Sequence, residues 1–232
     1  VQGFDGVSIF RVTGGDVALR RMTVRGARGL NTGILVESAQ SVRLESMHFD
    51  KLDYGVRVIN QADLLVRHSL ATYTHHAIRV EPTMGSITAL NNLILNSSRG
   101  IYSNADALIQ NNTIAVTHIG IEADHPDTLI RFNILWDNTE DLVSDAPSAI
   151  TVDTNIFETG TFGQDGRDPR FQLGPDGAYY LAPDSPAVDG GWQSATQAGL
   201  ATRTTSVNGE NDRNRVDLGY HYDGNLSFVH VP

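Results

Sequence analysis

Residues 85–103 read GSITALNNLILNSSRGIYS. An alternating run, Ser86 to Leu90, opens the stretch, and the polar pair Asn91-Asn92 interrupts it. A second apolar run, Leu93 to Leu95, follows, and four polar residues then lead into Gly100-Ile101, the start of a third. Alternation over so few residues is the period of a strand, and no 3.6-residue period competes with it. Three short strands joined by tight turns make one turn of a coil.

The pattern repeats on both sides. A Gly-Ile element recurs as Gly33-Ile34, Gly55-Val56, Ala77-Ile78, Gly100-Ile101 and Gly120-Ile121, with Asp141-Leu142 as a degraded copy. The apolar members stand 22, 22, 23, 20 and 21 residues apart. A polar marker, Ser69, Asn92, Asn112 and Asn133, keeps nine residues ahead of them, and Asn155 continues it. Two markers that hold phase over five coils are the signature of a solenoid. Gly6-Val7 is the expected first copy; its 27-residue step to Ile34 implies an insertion in the first coil.

One such coil cannot bury its own apolar face. Stacking coils at the sheet spacing of about 4.8 Å pairs each strand with its copies above and below, in parallel, with one face in a shared core. Ile34/Val36, Val56/Val58, Ile78/Val80 and Ile121/Ala123 supply that face and alternate with Leu35, Arg57, Arg79 and Glu122. The expected fold is all-β: a right-handed parallel β-helix of about 21–22 residues per coil with a C-terminal cap. The coils are expected in residues 1–160 and the capping region of the same domain in 161–232. Trp136 and Phe157 are expected to close a narrowing core, and Asp137, Glu140, Asp141, Asp145 and Asp153 to sit in solvated turns.

Asn-Asn-x-Ile, a polar turn and Gly-Ile resemble the repeat of right-handed parallel β-helix proteins of the pectate-lyase-like group. Residues 168–191, DPRFQLGPDGAYYLAPDSPAVDGG, and 215–224, RVDLGYHYDG, resemble the C-terminal unit of secreted bacterial β-helix proteins. The resemblance implies a secreted or cell-surface bacterial protein. It does not choose among pectate lyases, polygalacturonases, mannuronan C5-epimerases, tailspikes and adhesins, which share the fold. Tyr54-Gly55-Val56-Arg57 is similar in position to the Tyr-Gly-Phe-Asp-Pro-His strand of the epimerases, but Arg57 stands where that family has a catalytic Asp and Ile59 where it has His. In the cap, Tyr179, Tyr180, Leu181, Val188, Leu218 and Tyr220 are expected to cover the last coil's open core and unpaired edge.

Composition narrows the function. The 232 residues include no Cys, which excludes disulfides, thiolate metal sites and Cys nucleophiles. No apolar run is long enough to span a membrane. Net charge is −10, split as +3 over residues 1–100 and −13 over the rest, which argues against nucleic acid and points an anionic ligand to the N-terminal coils. Val1 begins inside repeat-like sequence, so the chain reads as a module of a larger extracellular protein. The oligomeric state is not legible.

One face gathers titratable and aromatic groups. Aligned on the apolar anchors, its outward positions hold Asp53, Tyr54, Arg57, His75, His76, Arg79, Glu81, Arg99 and Tyr102. Arg57 and Arg79 stack as like charges in neighbouring coils, a cost that an anion between them would offset. Arg57, Arg79 and Arg99 are the expected carboxylate ligands, Tyr54 and Tyr102 the surfaces for sugar rings, and His75 or His76 the base if chemistry occurs. Two functions follow. One is a non-catalytic scaffold or adhesin-type module with glycan binding. The other is a lyase or C5-epimerase on an acidic, uronate-containing polysaccharide. No cofactor is required by either; calcium is a further candidate, through Asn208, Glu210, Asn211, Asp212 and Asp217, although their spacing matches no EF-hand.

Overall fold

The computed structural model describes residues 7–26, 31–81, 85–159 and 166–224. Three seven-stranded parallel sheets stack into a right-handed solenoid. The first sheet runs Ser8–Val12, Thr32–Val36, Tyr54–Val58, His76–Val80, Arg99–Ser103, Ile119–Ala123, Glu140–Val143. The second runs Asp16–Arg20, Ser41–Glu45, Ala62–Arg67, Gly85–Leu90, Asp106–Gln110, Thr128–Arg131, Thr151–Asp153. The third runs Thr23–Arg25, His48–Asp50, Leu70–Thr72, Leu93–Leu95, Thr113–Ala115, Ile134–Trp136, Ile156–Phe157. Each coil therefore contributes one strand to each sheet, as the stretch at 85–103 requires.

The register follows the apolar anchors. Ile34, Val56, Ile78, Ile101, Ile121 and Leu142 are direct partners in one column of the first sheet. The first coil departs from expectation. Phe10, not Val7, is the partner of Ile34, so the step is 24 residues and Val7 lies outside the strand, 78% exposed. Gly6 falls outside the described residues.

Inside, the columns close on themselves. Ile34, Val42, Val56, Ile101, Ile109, Ile114 and Ile121 have no exposed surface. The polar marker is a buried ladder: Asn92, Asn112, Asn133 and Asn155 each accept, through Oδ1, the backbone N–H of the preceding member or of Ser69. Their Nδ2 atoms donate to carbonyls of Val66, Ala89, Ile109 and Ile130, so stacking and turn geometry share one set of bonds. The corner just before that ladder is left-handed in every coil: Arg21, Ser46, His68, Asn91, Asn111, Phe132 and Thr154 have φ between 51 and 58°. The glycine of the Gly-Ile element has a different reason. A Cβ on Gly100 would stand 2.4 Å from the carbonyl oxygen of Gly120, in the next coil.

Residues 166–224 abandon the coil. They form two antiparallel pairs, Phe171–Gly174 with Gly177–Leu181 and Arg203–Thr204 with Tyr222–Asp223. The one helix among the described residues, Ala195–Ala198, carries a capping box from Ser194 and Gln197. The contacts of this region run along the flank of the solenoid, over the outer face of the third sheet. Tyr180, Tyr220 and Tyr222 pack on Leu70, Leu93 and Leu95, and Leu181, Leu200, Val216 and Leu218 pack on Phe132, Ile134 and Ile156. Trp136 joins this outer cluster, so Phe157 alone of the expected pair is in the coil core. Asp141, expected in a solvated turn, has no exposed surface. Its carboxylate accepts from Asn138 and from the backbone of Thr159, and burial raises its pKa.

A strap, Asp217–His221, ties this region to the coils. The Asn91 side chain brackets His221, accepting from its N–H at 2.7 Å and donating to its carbonyl at 2.9 Å. Asn111 donates to the carbonyl of Asp217, Tyr220 donates its N–H to Thr113 Oγ1, and Gly219 donates to the carbonyl of Phe132.

Candidate functional site

The first sheet places its outward residues in two columns. Arg57 is the partner of Arg79, and Arg79 of Tyr102. Tyr54 is the partner of His76, and His76 of Arg99. Of the seven residues expected to bind or react, six occupy these columns, and His75 adjoins them through its neighbour, its ring edge-on to that of His76 with centroids 4.6 Å apart.

The two stacked arginines find their anion within the chain. Glu81 Oε1 accepts from Arg57 Nε at 3.1 Å and Nη2 at 2.9 Å, and from Arg79 Nε at 3.0 Å. Two guanidiniums thus converge on one carboxylate oxygen. Aromatic rings hold their outer faces: the Arg57 guanidinium lies 5.0 Å from the Tyr54 ring centroid, and that of Arg79 lies 4.6 Å from the Tyr102 ring. Arg99 pairs with Glu122 at 2.9 Å. The result is a half-buried platform of alternating rings and guanidiniums across three coils.

The two histidines have different surroundings. His76 is 2% exposed and stacks on Tyr54 with ring centroids 5.1 Å apart. Its Nε2 faces Arg79 Nη1 at 3.5 Å, and its Nδ1 is sealed without a partner. Burial, and then the charges of His75, Arg79, Arg99 and Arg57, hold its pKa down at about 3, so it is neutral near pH 7. His75 reaches solvent. Its Nδ1 lies 3.2 Å from Asp53 Oδ1, and half of its side chain is exposed.

The residues expected for calcium line a second place. Asn208, Glu210, Asn211, Asp212 and Asp217, with Asp189, Arg213 and Thr205 among others, surround a cleft of about 490 Å³ beside the strap. At its base Asp212, Asp217 and His221 converge, all buried. Each is already bonded. His221 places Nε2 2.9 Å from Asp212 Oδ2 and Nδ1 3.0 Å from the carbonyl of Gly219, so both ring nitrogens face oxygens. Asp217 accepts from Thr205 Oγ1 at 2.5 Å and from the N–H of Asp189 at 2.7 Å. Burial raises the Asp217 pKa against the pull of His221.

Sequence reasoning did not find three of these roles. Glu81 was placed on the face but not as the shared counter-ion. Asn91 and Asn111 hold the strap, and His221, within it, bonds Asp212, and no spacing in the sequence points to either. The repeat signal locates columns within the coils; partners more than 100 residues away lie beyond it.

A family model described as "NosD: Periplasmic copper-binding protein (NosD)" matches residues 5–163, more than half of the chain. No curated protein and no solved structure matches. Among the described residues no cluster of three ligating groups is built from imidazole and sulfur donors alone. Copper sites favour imidazole, thiolate and thioether ligands. The chain has no Cys. Met47 is 2% exposed in the core. Among the described residues the one cluster of three ligating groups is Asp212, Asp217 and His221, two carboxylates and one imidazole, and it lies outside the matched span.

Proposed function

We propose that this chain, which belongs to the NosD family, is a non-catalytic β-helix module that binds an acidic glycan along the outer face of its first sheet. The family description supports a location outside the cytoplasm. The observation that carries the reading is the pairing of Arg57 and Arg79 with a single oxygen of Glu81. Guanidinium forks match carboxylates bidentately, which suits a face carrying Arg57, Arg79 and Arg99 to the carboxylates of an acidic glycan. Tyr54 and Tyr102 flank the group from two coils apart, where the rings of an extended sugar chain can stack. The Asp212–Asp217–His221 cluster is not part of this reading.

Calorimetry with a soluble polyuronate tests it. The wild type should bind with an affinity that falls as salt rises. Arg57→Ala/Arg79→Ala should lose that binding and keep the wild-type circular dichroism spectrum. No binding by the wild type, or unchanged binding by the double variant, would overturn the proposal.

A second reading has one observation in its favour, the contact between Asp53 and the half-exposed His75. A carboxylate on Nδ1 orients an imidazole and leaves Nε2 as a base. On that reading the chain is a uronate lyase or epimerase, with His75 removing the proton alpha to the carboxylate and an arginine stabilising the charge that develops. Turnover of a polyuronate to unsaturated ends, or exchange of that proton with deuterated water, distinguishes it from binding alone. Loss of either in His75→Gln, with binding retained, would establish it.

A further inference from the structure

We infer that two copies of this chain pair face to face through the outer side of the second sheet, the strands of one antiparallel to those of the other. The three sheets present different outer faces. The third is covered by residues 166–224, and the first carries the platform of rings and guanidiniums. The second carries leucines. Leu65, Leu90, Leu108 and Leu129 alternate with core residues and stay partly exposed, and they belong to none of the apolar clusters among the described residues. Leu65, Thr88, Leu108 and Leu129 are successive partners in one column, a stripe that Leu90 widens in the coil of Thr88. A sheet face left to water is ordinarily polar, and an apolar stripe rimmed by charge marks a contact surface.

Charge selects the occupant. Along the strands the outward residues read acid, apolar, base: Asp16-Ala18-Arg20, Asp63-Leu65-Arg67 and Asp127-Leu129-Arg131, with Asp106-Leu108-Gln110 keeping the first two members. One side of the stripe is therefore acidic. Asp16, Ser41, Asp63, Ser86 and Asp106 are successive partners there, and Asp127, next before Thr128, continues them. The four acids are exposed, and the bonds of Asp63 to Ser86 both use Oδ1. The column on the other side contains Arg20, Arg67 and Arg131. Arg20 and Arg67 share a single carboxylate, Glu45, and keep 63% and 38% of their side chains exposed, while Arg131 bonds the neutral Gln110. The acidic column repels an anionic polymer or headgroup. A second copy fits, because acid–apolar–base read in the opposite direction is its own complement.

A two-fold axis along the solenoid, midway between two such faces, sets each coil on the equivalent coil. Leucine then meets leucine near the axis, and Asp63 and Asp127 of each copy meet Arg67 and Arg131 of the other, every pair occurring twice. An axis along the strands would instead set the acidic column on itself, a like-charge contact. The second coil is the exception. Arg43 stands in the stripe as the partner of Leu65 and would face its own counterpart, so the contact centres on the coils from Leu65 to Leu129. A face of about 30 Å by 16 Å, from strand spacing and rise, is at the small end for a specific contact and places the association in the micromolar range. The contact is isologous and closes at two copies.

Sedimentation velocity of the purified chain over a concentration series tests this. The mass should rise from 25.2 kDa to twice that value and stop. Leu108→Arg sets two arginines against each other at the axis and should weaken association about tenfold or more. Asp63→Arg and Arg67→Asp should each do the same, because each opposes like charges. An equimolar mixture of those two variants should dimerise again, since the exchanges complement each other across the axis. If either fails to fold by circular dichroism, Asp127→Arg, at a position with 79% of its side chain exposed, reads the same contact. A wild type that stays monomeric at every concentration would give the stripe to another occupant and overturn the inference, as would a mass that grows past two copies or variants that associate as the wild type does.

Discussion

Asn112 shows how much one residue of the ladder holds. Its Oδ1 accepts from the backbone and the side chain of Asn92, and its Nδ2 donates to Ala89, Gln110 and Asn133, all without exposure to solvent. Alanine there would leave buried backbone groups unpaired, and Asn112→Ala should cost about 1–3 kcal/mol. Urea denaturation should show a lower midpoint at an unchanged slope; a variant as stable as the wild type would contradict the ladder. The histidines give a second prediction. Burial first, then neighbouring charges, hold both His68 and His76 at about 3, below the ordinary 6.5. The unfolded chain then takes up protons before the folded one, so their contribution to stability is lost as pH falls from about 6.5 toward 3. Asp141 and Asp217, raised by burial, act in the opposite sense. Thermal midpoints of the wild type and of His68→Gln/His76→Gln over that window should diverge, the wild type falling more steeply; parallel curves would reject the assignment. The ladder was legible because one residue type recurred at a fixed period. The sealed state of His76 was not, since its burial comes from Tyr54 one coil below and Arg79 three residues on.

At the scale of the element, the coil's period was legible from the anchors, and the structure keeps their register through all six. The first coil was misplaced because Ile9 stands where later coils have glycine, so the marker pointed three residues early. That glycine is the element's tightest constraint. A methyl on Gly100 would meet the Gly120 carbonyl at 2.4 Å and Ile114 Cγ2 at 2.8 Å. Ala77 shows that a coil can be built around such a methyl, but the coil at Gly100 is not. Gly100→Ala should therefore destabilise by about 1–3 kcal/mol through overpacking. Calorimetric unfolding would detect it as a lower midpoint, and an unchanged midpoint would show that adjacent coils can move apart.

For the whole molecule, the region after residue 166 matters through the face that it covers. Leu70, Leu93, Leu95, Ile134, Trp136 and Ile156 lie beneath it. A chain ended at residue 159 should expose this stripe and aggregate on expression; a soluble, monomeric product would show that the coils stand alone. The candidate face was legible because its residues repeat with the coil. Glu81 as the counter-ion of Arg57 was not, because that contact steps one coil over and two residues along. The strap was not either: Asn91 and His221 are 130 residues apart in sequence, and no local pattern joins them.

The strap also acts as a gauge. Its bonds reach Asn91, then Asn111 and Thr113, then Phe132, in three successive coils, and its own five residues set the distance over which those coils must present them. A relative that gained or lost a coil inside this stretch would put every later bond out of step. A coil added or removed ahead of His68 would leave the strap untouched and change only the length of the rod. The strap thus tolerates a change of length ahead of His68 and resists one between Asn91 and Phe132.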